Sequence, residues 1–270
     1  MPSYLITGAS RGIGFEFLRQ LAADPNNLVI GLVRNKAATE EKVSKEIPGG
    51  NVHLVEGDLT DYDALKGAVA EVEKVTSSLD HLVANAAWVS TWSAYDGIGD
   101  LAANSPKQLD EDLLEAIRVN VLGNIHLFSL FLPLVKKGTA KKVITITSGM
   151  ADIDFISAFD IVSGAPDSIS KAAMNATYAK LSAQYKEEGI LFLGISPGLV
   201  DTGSYGNQTP EQAAGAVEMV KKFANYSPGF KGPITPEESV RAVLETIHRA
   251  EISKGYAGGF VSHYGNKQWL

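Results

Sequence analysis

Seven apolar stretches of strand length, separated by longer stretches of helical periodicity, constrain this chain more than any other feature. They run from Ser3 to Ile6, Leu28 to Leu32, Val52 to Glu56, His81 to Ala84, Lys142 to Thr147, Leu191 to Ile195 and Gly259 to Val261. Near-continuous apolar runs, rather than strict alternation, are what strands need when both faces of a sheet are covered. Helical spacing occupies Gly12 to Ala23, Asp61 to Val75, Leu109 to Val135, Ser168 to Gln184 and Pro236 to Glu251. Strand and helix therefore alternate, which predicts an α/β fold with a doubly wound, seven-stranded parallel sheet. The 270 residues contain no composition break, repeat or low-complexity tract, so a single domain is expected. Three stretches, 88–106, 149–166 and 203–233, carry neither period; in such a sheet they follow strands four, five and six, where ligand crevices form.

Composition removes several classes of function. With 24 Lys plus Arg against 31 Asp plus Glu, and a net charge of -7, the scattered basic residues make no footprint for nucleic acid. No run of about 18 apolar residues spans a bilayer, so membrane insertion is not expected. The absence of cysteine excludes disulfides, thiol catalysis and cysteine metal sites. A first strand so near Met1 leaves no space for a signal peptide, and a cytoplasmic location is expected. The histidines, His53, His81, His126, His248 and His263, are dispersed, and no metal site is expected.

Between the first strand and the first helix stands Thr7-Gly8-Ala9-Ser10-Arg11-Gly12-Ile13-Gly14. Glycines there let the backbone turn tightly and approach a diphosphate, while the helix N-terminus presents free N–H groups and a partial positive charge. Gly8, Ser10, Arg11, Gly12, Ile13 and Gly14 are therefore candidate nucleotide contacts. The second strand ends at Arg34-Asn35, where a dinucleotide fold inspects the ribose 2′ position. An acidic residue would suit the NAD hydroxyl, whereas Arg34, with Arg11 as a second cation, suits a 2′-phosphate and points to NADP(H).

In order along the chain, these motifs resemble those of the short-chain dehydrogenase/reductase superfamily over almost the whole length. TGASRGIG is similar to its TGxxxGxG signature. Asp58-Leu59 resembles the adenine-contacting pair, and Ala84-Asn85-Ala86-Ala87 resembles its NNAG segment with Ala87 in place of the last glycine. Asn120, Ser148 and Lys171 match the family's catalytic asparagine, serine and lysine. Pro197-Gly198-Leu199-Val200-Asp201-Thr202 is similar to the motif that holds the nicotinamide carboxamide through Pro197, Gly198, Val200 and Thr202. The ending Gly258-Gly259-Phe260 with Trp269 resembles the sniffer-like and C-factor-like branch, which includes fungal ketoreductases of secondary metabolism. The resemblance implies a Rossmann fold, NADP(H) as cofactor, with Lys171 also on the nicotinamide ribose, and a small-molecule substrate.

One position departs from the family. Four residues before the lysine it carries a tyrosine that protonates the developing alkoxide; here stands Asp167. Ordinary pKa values of about 10 for Tyr and about 3.9 for Asp differ by roughly 6 units, on the order of 8 kcal/mol, so Asp is a different reagent. Lys171 and an oxidised nicotinamide would favour the carboxylate, while burial would raise its pKa and restore a proton donor. Tyr178 and Tyr185 lie too far along the helix to replace the phenol; Tyr205 and Tyr226 belong to the substrate-side stretch. Three readings follow. One is a reductase protonating through Asp167, Ser148 or a water relayed by Lys171 and Asn120. A second is a non-redox isomerase, dehydratase or cyclase that uses ionised Asp167 as base or cation stabiliser. The third is an NADP(H)-sensing binding protein.

Aromatic and large apolar residues gather in the three irregular stretches: Trp88, Trp92 and Tyr95; Met150, Phe155 and Phe159; Tyr205 and Tyr226. They predict a bulky apolar or aromatic substrate, with Trp88, Met150, Phe155, Phe159 and Tyr205 as candidate contacts. The helix 109–135 is apolar on more than one face through Leu127, Phe128, Leu130, Phe131, Leu132 and Leu134, and the resemblance places the corresponding helix in a subunit interface. A homodimer or homotetramer is expected.

Overall fold

The computed structural model describes residues 1–203 and 209–270. Its sheet comprises β1 (Ser3–Thr7), β2 (Leu28–Val33), β3 (Val52–Glu56), β4 (His81–Ala84), β5 (Lys142–Ile146), β6 (Leu191–Ser196) and β7 (Phe260–Ser262). The strands lie in the order β3-β2-β1-β4-β5-β6-β7, every pair parallel. All seven expected strands form; the five inner ones, covered on both faces, announce themselves by near-continuous apolarity, whereas the edge strands β3 and β7 are partly exposed. The order reverses between β1 and β4, and the crevice at that switch point lies beyond the carboxyl ends of the strands.

Helices α1 (Gly12–Ala22), α2 (Lys36–Glu46), α3 (Tyr62–Val75), α4 (Ile98–Asn104), α5 (Pro106–Ile117), α6 (Asn124–Lys137), α7 (Ile153–Ala158), α8 (Ala165–Gln184), α9 (Pro210–Tyr226) and α10 (Pro236–Arg249) cover the sheet. On one face α1 and α10 bury Phe17, Leu18, Val243 and Ile247 against Ile6, Val29 and Ile144. On the other, α3, α6 and α8 bury Leu65, Phe131 and Tyr178 against Leu5, Leu82 and Phe192.

Three expectations need correction. The stretch 203–233 is not irregular throughout: α9 fills 17 residues of it, started by a reciprocal capping box between Thr209 and Gln212 with Pro210 in the first turn. The helix expected over 109–135 is interrupted by a π-helical turn, Arg118–Gly123, that holds Asn120. In sequence an 18-residue window within Pro106–Lys137 also reaches the mean hydropathy, 1.4, of a membrane span. Its apolar residues answer instead to the core: Leu127, Phe128, Phe131, Leu132 and Leu134 are buried within the subunit and are not offered to a second copy. Helix α2 escaped detection because it buries only Thr39 and so carries no apolar stripe.

A third apolar cluster lies outside the sheet. Phe155, Ile161, Phe223 and Trp269 form its buried centre, with Met150, Phe159, Met219, Tyr226 and Phe260 around them. It unites the stretch after β5, helix α9 and the segment after β7.

Candidate active site

The glycine turn is built for close approach. Gly8 sits at φ +66, and a Cβ there would fall 2.9 Å from Ala86 Cα; at Gly14 it would fall 2.2 Å from Gly8 O. The turn is tied to β4 from below: Thr7 Oγ1 accepts the N–H groups of Asn85 and Ala86 at 3.1 and 2.9 Å, and Asn85 Nδ2 donates to Thr7 O at 3.0 Å. The side chain of Asn85 thus braces the turn. Helix α1 starts at Gly12 with no side-chain cap, and Ser10 and Arg11 are exposed, so first-turn N–H groups are left for an anion. Across the crevice, Thr202 lies against Gly12, whose Cβ would stand 3.3 Å from Thr202 Cγ2. These residues fit a nucleotide diphosphate.

At the adenine end Arg34 is exposed beside Asp58. Burial works against ionisation of Asp58. The N–H and hydroxyl of Thr60, each at 2.8 Å, with the charges of Arg34 and Arg118, nevertheless hold its carboxyl below the usual range. Leu59 is buried. Asn35 caps α2, its Oδ1 accepting the Ala38 N–H at 3.0 Å. In the segment after β6, Ser239 Oγ donates to Pro197 O at 2.7 Å. Gly198 at φ +84 packs on His263, and Val200 bridges to Ile234, so three contacts fix this turn.

Asp167 and Lys171 stand one helical turn apart on α8 and share a face. Lys171 is buried and its Nζ donates to Ile146 O at 2.9 Å. Asp167 is half-buried as a residue, but its Oδ1 is sealed from solvent and has no hydrogen-bond partner. Burial pushes the Asp167 carboxyl above the usual carboxylate range, against the attraction of Lys171; burial likewise lowers the Lys171 ammonium, against the attraction of Asp167. Both shifts favour uncharged forms, and of the two effects weighed from sequence, desolvation wins.

The rest of the expected catalytic set is present with altered roles. The Asn120 amide is fully committed: Oδ1 accepts the Trp88 N–H at 2.7 Å, and Nδ2 donates to Trp88 O and to Ser170 Oγ, both at 2.9 Å. Ser170 Oγ in turn donates to Asp167 O at 2.9 Å. Asn120 is therefore a strut between the β4 segment and α8, and its side chain has no hydrogen left to relay through water. Ser148 follows β5, is half-buried, and its Oγ accepts the Met150 N–H at 3.2 Å, which leaves its own hydrogen free to donate.

Of the expected substrate contacts, Trp88 is 42% exposed, and Met150 and Phe159 are half-buried. Phe155 is different: at 5% exposure it packs on Phe159, Phe223 and Tyr226, with ring centroids 5.6, 6.3 and 4.6 Å away. It is core of the third cluster because α9 lies over it. Tyr205 falls outside the described residues. The Tyr226 hydroxyl donates to Lys267 O and accepts the Trp269 N–H, so it is not a spare phenol. An open groove of about 640 Å³ runs between Trp88, Trp92 and α5; neither Asp167 nor Lys171 lines it. Helix α9 spans the crevice mouth through Gln212 Nε2 on Thr91 O at 3.2 Å, Gly215 against Tyr95, and Lys222 Nζ on Asp160 O. Sequence reasoning missed this cover, although Thr-Pro-Glu-Gln at 209–212 is a start signal for a helix.

Comparison with known proteins agrees with this geometry. The profile of a family described as short chain dehydrogenase matches residues 3–213. The chain is 53% identical to the short chain dehydrogenase virK of Hypocrea virens and 50% identical to the short-chain dehydrogenase/reductase iacC of Pestalotiopsis fici, covering 100% of each chain. The NADPH-bound carbonyl reductase from chicken fatty liver superposes with a TM-score of 0.76 at 25% identity over 98% of both chains. An NADPH-bound short chain oxidoreductase of Pseudomonas aeruginosa, described as containing an atypical catalytic center, shares the fold with a TM-score of 0.73 at 18% identity, over 97% of this chain and 94% of that one.

Proposed function

The chain belongs to the short-chain dehydrogenase family, and from that premise we propose that it is an NADPH-dependent reductase of a bulky apolar or aromatic carbonyl or enone compound, in which Asp167 is the proton donor. The observation that carries this reading is the Asp167 carboxyl one turn from Lys171, its Oδ1 buried without a hydrogen-bond partner and its pKa raised by burial. The glycine turn and helix α1 would hold the diphosphate, Arg34 and Arg11 a 2′-phosphate, Asp58 and Leu59 the adenine, and the Pro197 to Thr202 turn the carboxamide. When bound, the dihydronicotinamide supplies hydride to the carbonyl carbon. Ser148 donates its free hydrogen to the carbonyl oxygen and orients it. Asp167 then passes its proton to that oxygen, and the attraction between Asp167 and Lys171, which opposes the burial shift of each, stabilises the carboxylate left behind until a proton is returned. Burial raises the Asp167 pKa and so favours the acid form, which suits a proton donor better than the ionised base or cation partner of the isomerase or cyclase reading.

Secondary metabolism is proposed as the setting from the C-terminal resemblance, Gly258-Gly259-Phe260 with Trp269, to the branch that includes fungal ketoreductases. A cytoplasmic location is in keeping with a chain that has no cysteine. Assembly as a homodimer or homotetramer is proposed through the exposed Leu114, Leu122 and Ile169, not the buried residues of α6. The test is titration of purified protein with NADPH by calorimetry, followed by absorbance during incubation with benzil. Binding with benzil-dependent oxidation is expected; binding without turnover for any aromatic ketone or enone would refute the reductase.

A further inference from the structure

The segment after β7 reaches back to the mouth of the crevice. Trp269 is 3% exposed and stacks on Phe260, with ring centroids 4.4 Å apart. It also presses on the backbone at Gly149, where a Cβ would fall 2.6 Å from Trp269 Cβ and 2.8 Å from its Cγ. Gly149 is the residue after Ser148, and its N–H is held by Ser196 Oγ at 2.9 Å. The turn that carries the Ser148 hydroxyl is therefore clamped between β6 and the indole, with no side chain at 149 to keep them apart.

The same tryptophan is fastened to the cover helix. Tyr226, at the end of α9, accepts the backbone N–H of Trp269 at 3.0 Å and donates to Lys267 O at 2.9 Å, while the indole shares a buried cluster with Phe223 of α9, so backbone and ring both join α9 to this segment. The Lys267 ammonium lies 4.8 Å from the Phe260 ring centroid, 5.1 Å from that of Trp269, and 3.9 Å from Asp152 Oδ2. Asp152 caps α7. Both substrate-side walls, the stretch after β5 and helix α9, thus converge on one residue.

We infer that Trp269 is a positioning residue: it sets the Ser148–Gly149 turn and latches α9 over the substrate side. It touches no reacting atom. Its consequence for turnover rests on the reductase reading above; its consequence for the mobility of the two walls does not.

The experiment pairs Trp269→Ala with Trp269→Phe. In Trp269→Ala, amide hydrogen exchange over 149–158 and 210–226 quickens about 10-fold or more while β1 to β5 keep their protection. With benzil and NADPH, kcat falls about 10- to 100-fold, since a small displacement of an orienting hydroxyl is enough for that, and NADPH affinity stays within about twofold. Trp269→Phe, which keeps a ring against Gly149 and Phe260, recovers most of kcat. Exchange unchanged in both walls, or raised equally throughout the molecule with loss of NADPH binding, would overturn the inference. Should Trp269→Ala fail to fold, Tyr226→Phe removes only the latching hydroxyl; faster exchange confined to 210–226 supports the latch, and unaltered exchange there overturns it. If the wild type consumes no NADPH with benzil or any other aromatic ketone or enone, the reductase reading fails, and the exchange measurement alone decides the role of Trp269.

Discussion

At the level of single residues, the chemistry turns on what surrounds one carboxyl. Asp167 has the acidity of an ordinary surface aspartate only if water reaches it, and its Oδ1 is buried with no hydrogen-bond partner. Its folded-state pKa is raised, so the acid form persists above the usual range and is lost as pH climbs through the raised value. Proton donation should therefore fail on the alkaline side as pH passes that raised value. Arg34 makes a separable prediction. Replacing Arg34 by Ala should weaken NADPH about 10- to 100-fold, the worth of a charge-assisted phosphate contact, and leave NADH within about threefold. Equal weakening of both, measured by calorimetry, would remove Arg34 from the role of phosphate reader.

The elements explain what could be read from sequence and what could not. Strands β1, β2, β4, β5 and β6 were legible because each is buried on both faces, and the glycine turn was legible because a close approach such as that of Gly14 to Gly8 O admits no other residue. The positions of Asn120, Ser148 and Lys171 were legible as motifs. Their partners were not: that Trp88 and Ser170 consume the Asn120 amide depends on two segments distant in sequence meeting at a π-helical turn. Helix α9 and the burial of Phe155 beneath it escaped for the same reason, since tertiary packing makes a wall out of residues that look like pocket lining. At the other end of the sheet, His81 opens β4 and stacks on Tyr4, with centroids 4.3 Å apart. Burial, aided by the charge of Lys142, lowers its pKa from 6.5 to about 4. The unfolded chain takes up the proton first, so the contribution of His81 is whole above about pH 6.5 and disappears as pH falls through about 4. The loss is about 3 kcal/mol. Urea unfolding of His81→Phe, which keeps the stacking ring, should show a correspondingly shallower loss of stability between pH 7 and 4. An unchanged slope would mean that other groups govern acid unfolding.

For the molecule as a whole, the sheet supplies a rigid floor, and the crevice is closed by α9 and the segment after β7. The face formed by α5, the π-helical turn and α8 is left with Leu114 at 68%, Leu122 at 49% and Ile169 at 40% exposure. Apolar residues on facing helices suit a self-complementary contact between two copies. Light scattering should give at least twice the 28.8 kDa chain mass, and Leu114→Glu with Leu122→Glu should return it to one. A wild type that is monomeric at all concentrations would contradict the assembly. The central claim concerns Asp167, and the most direct measurement is the pH dependence of NADPH oxidation with benzil in the wild type and in Asp167→Asn. An isosteric amide cannot supply the proton, so kcat should fall about 100-fold or more with NADPH affinity preserved, and the alkaline fall seen in the wild type should vanish from the residual rate. Wild-type rates and an unaltered pH profile in Asp167→Asn would show that the proton comes from elsewhere.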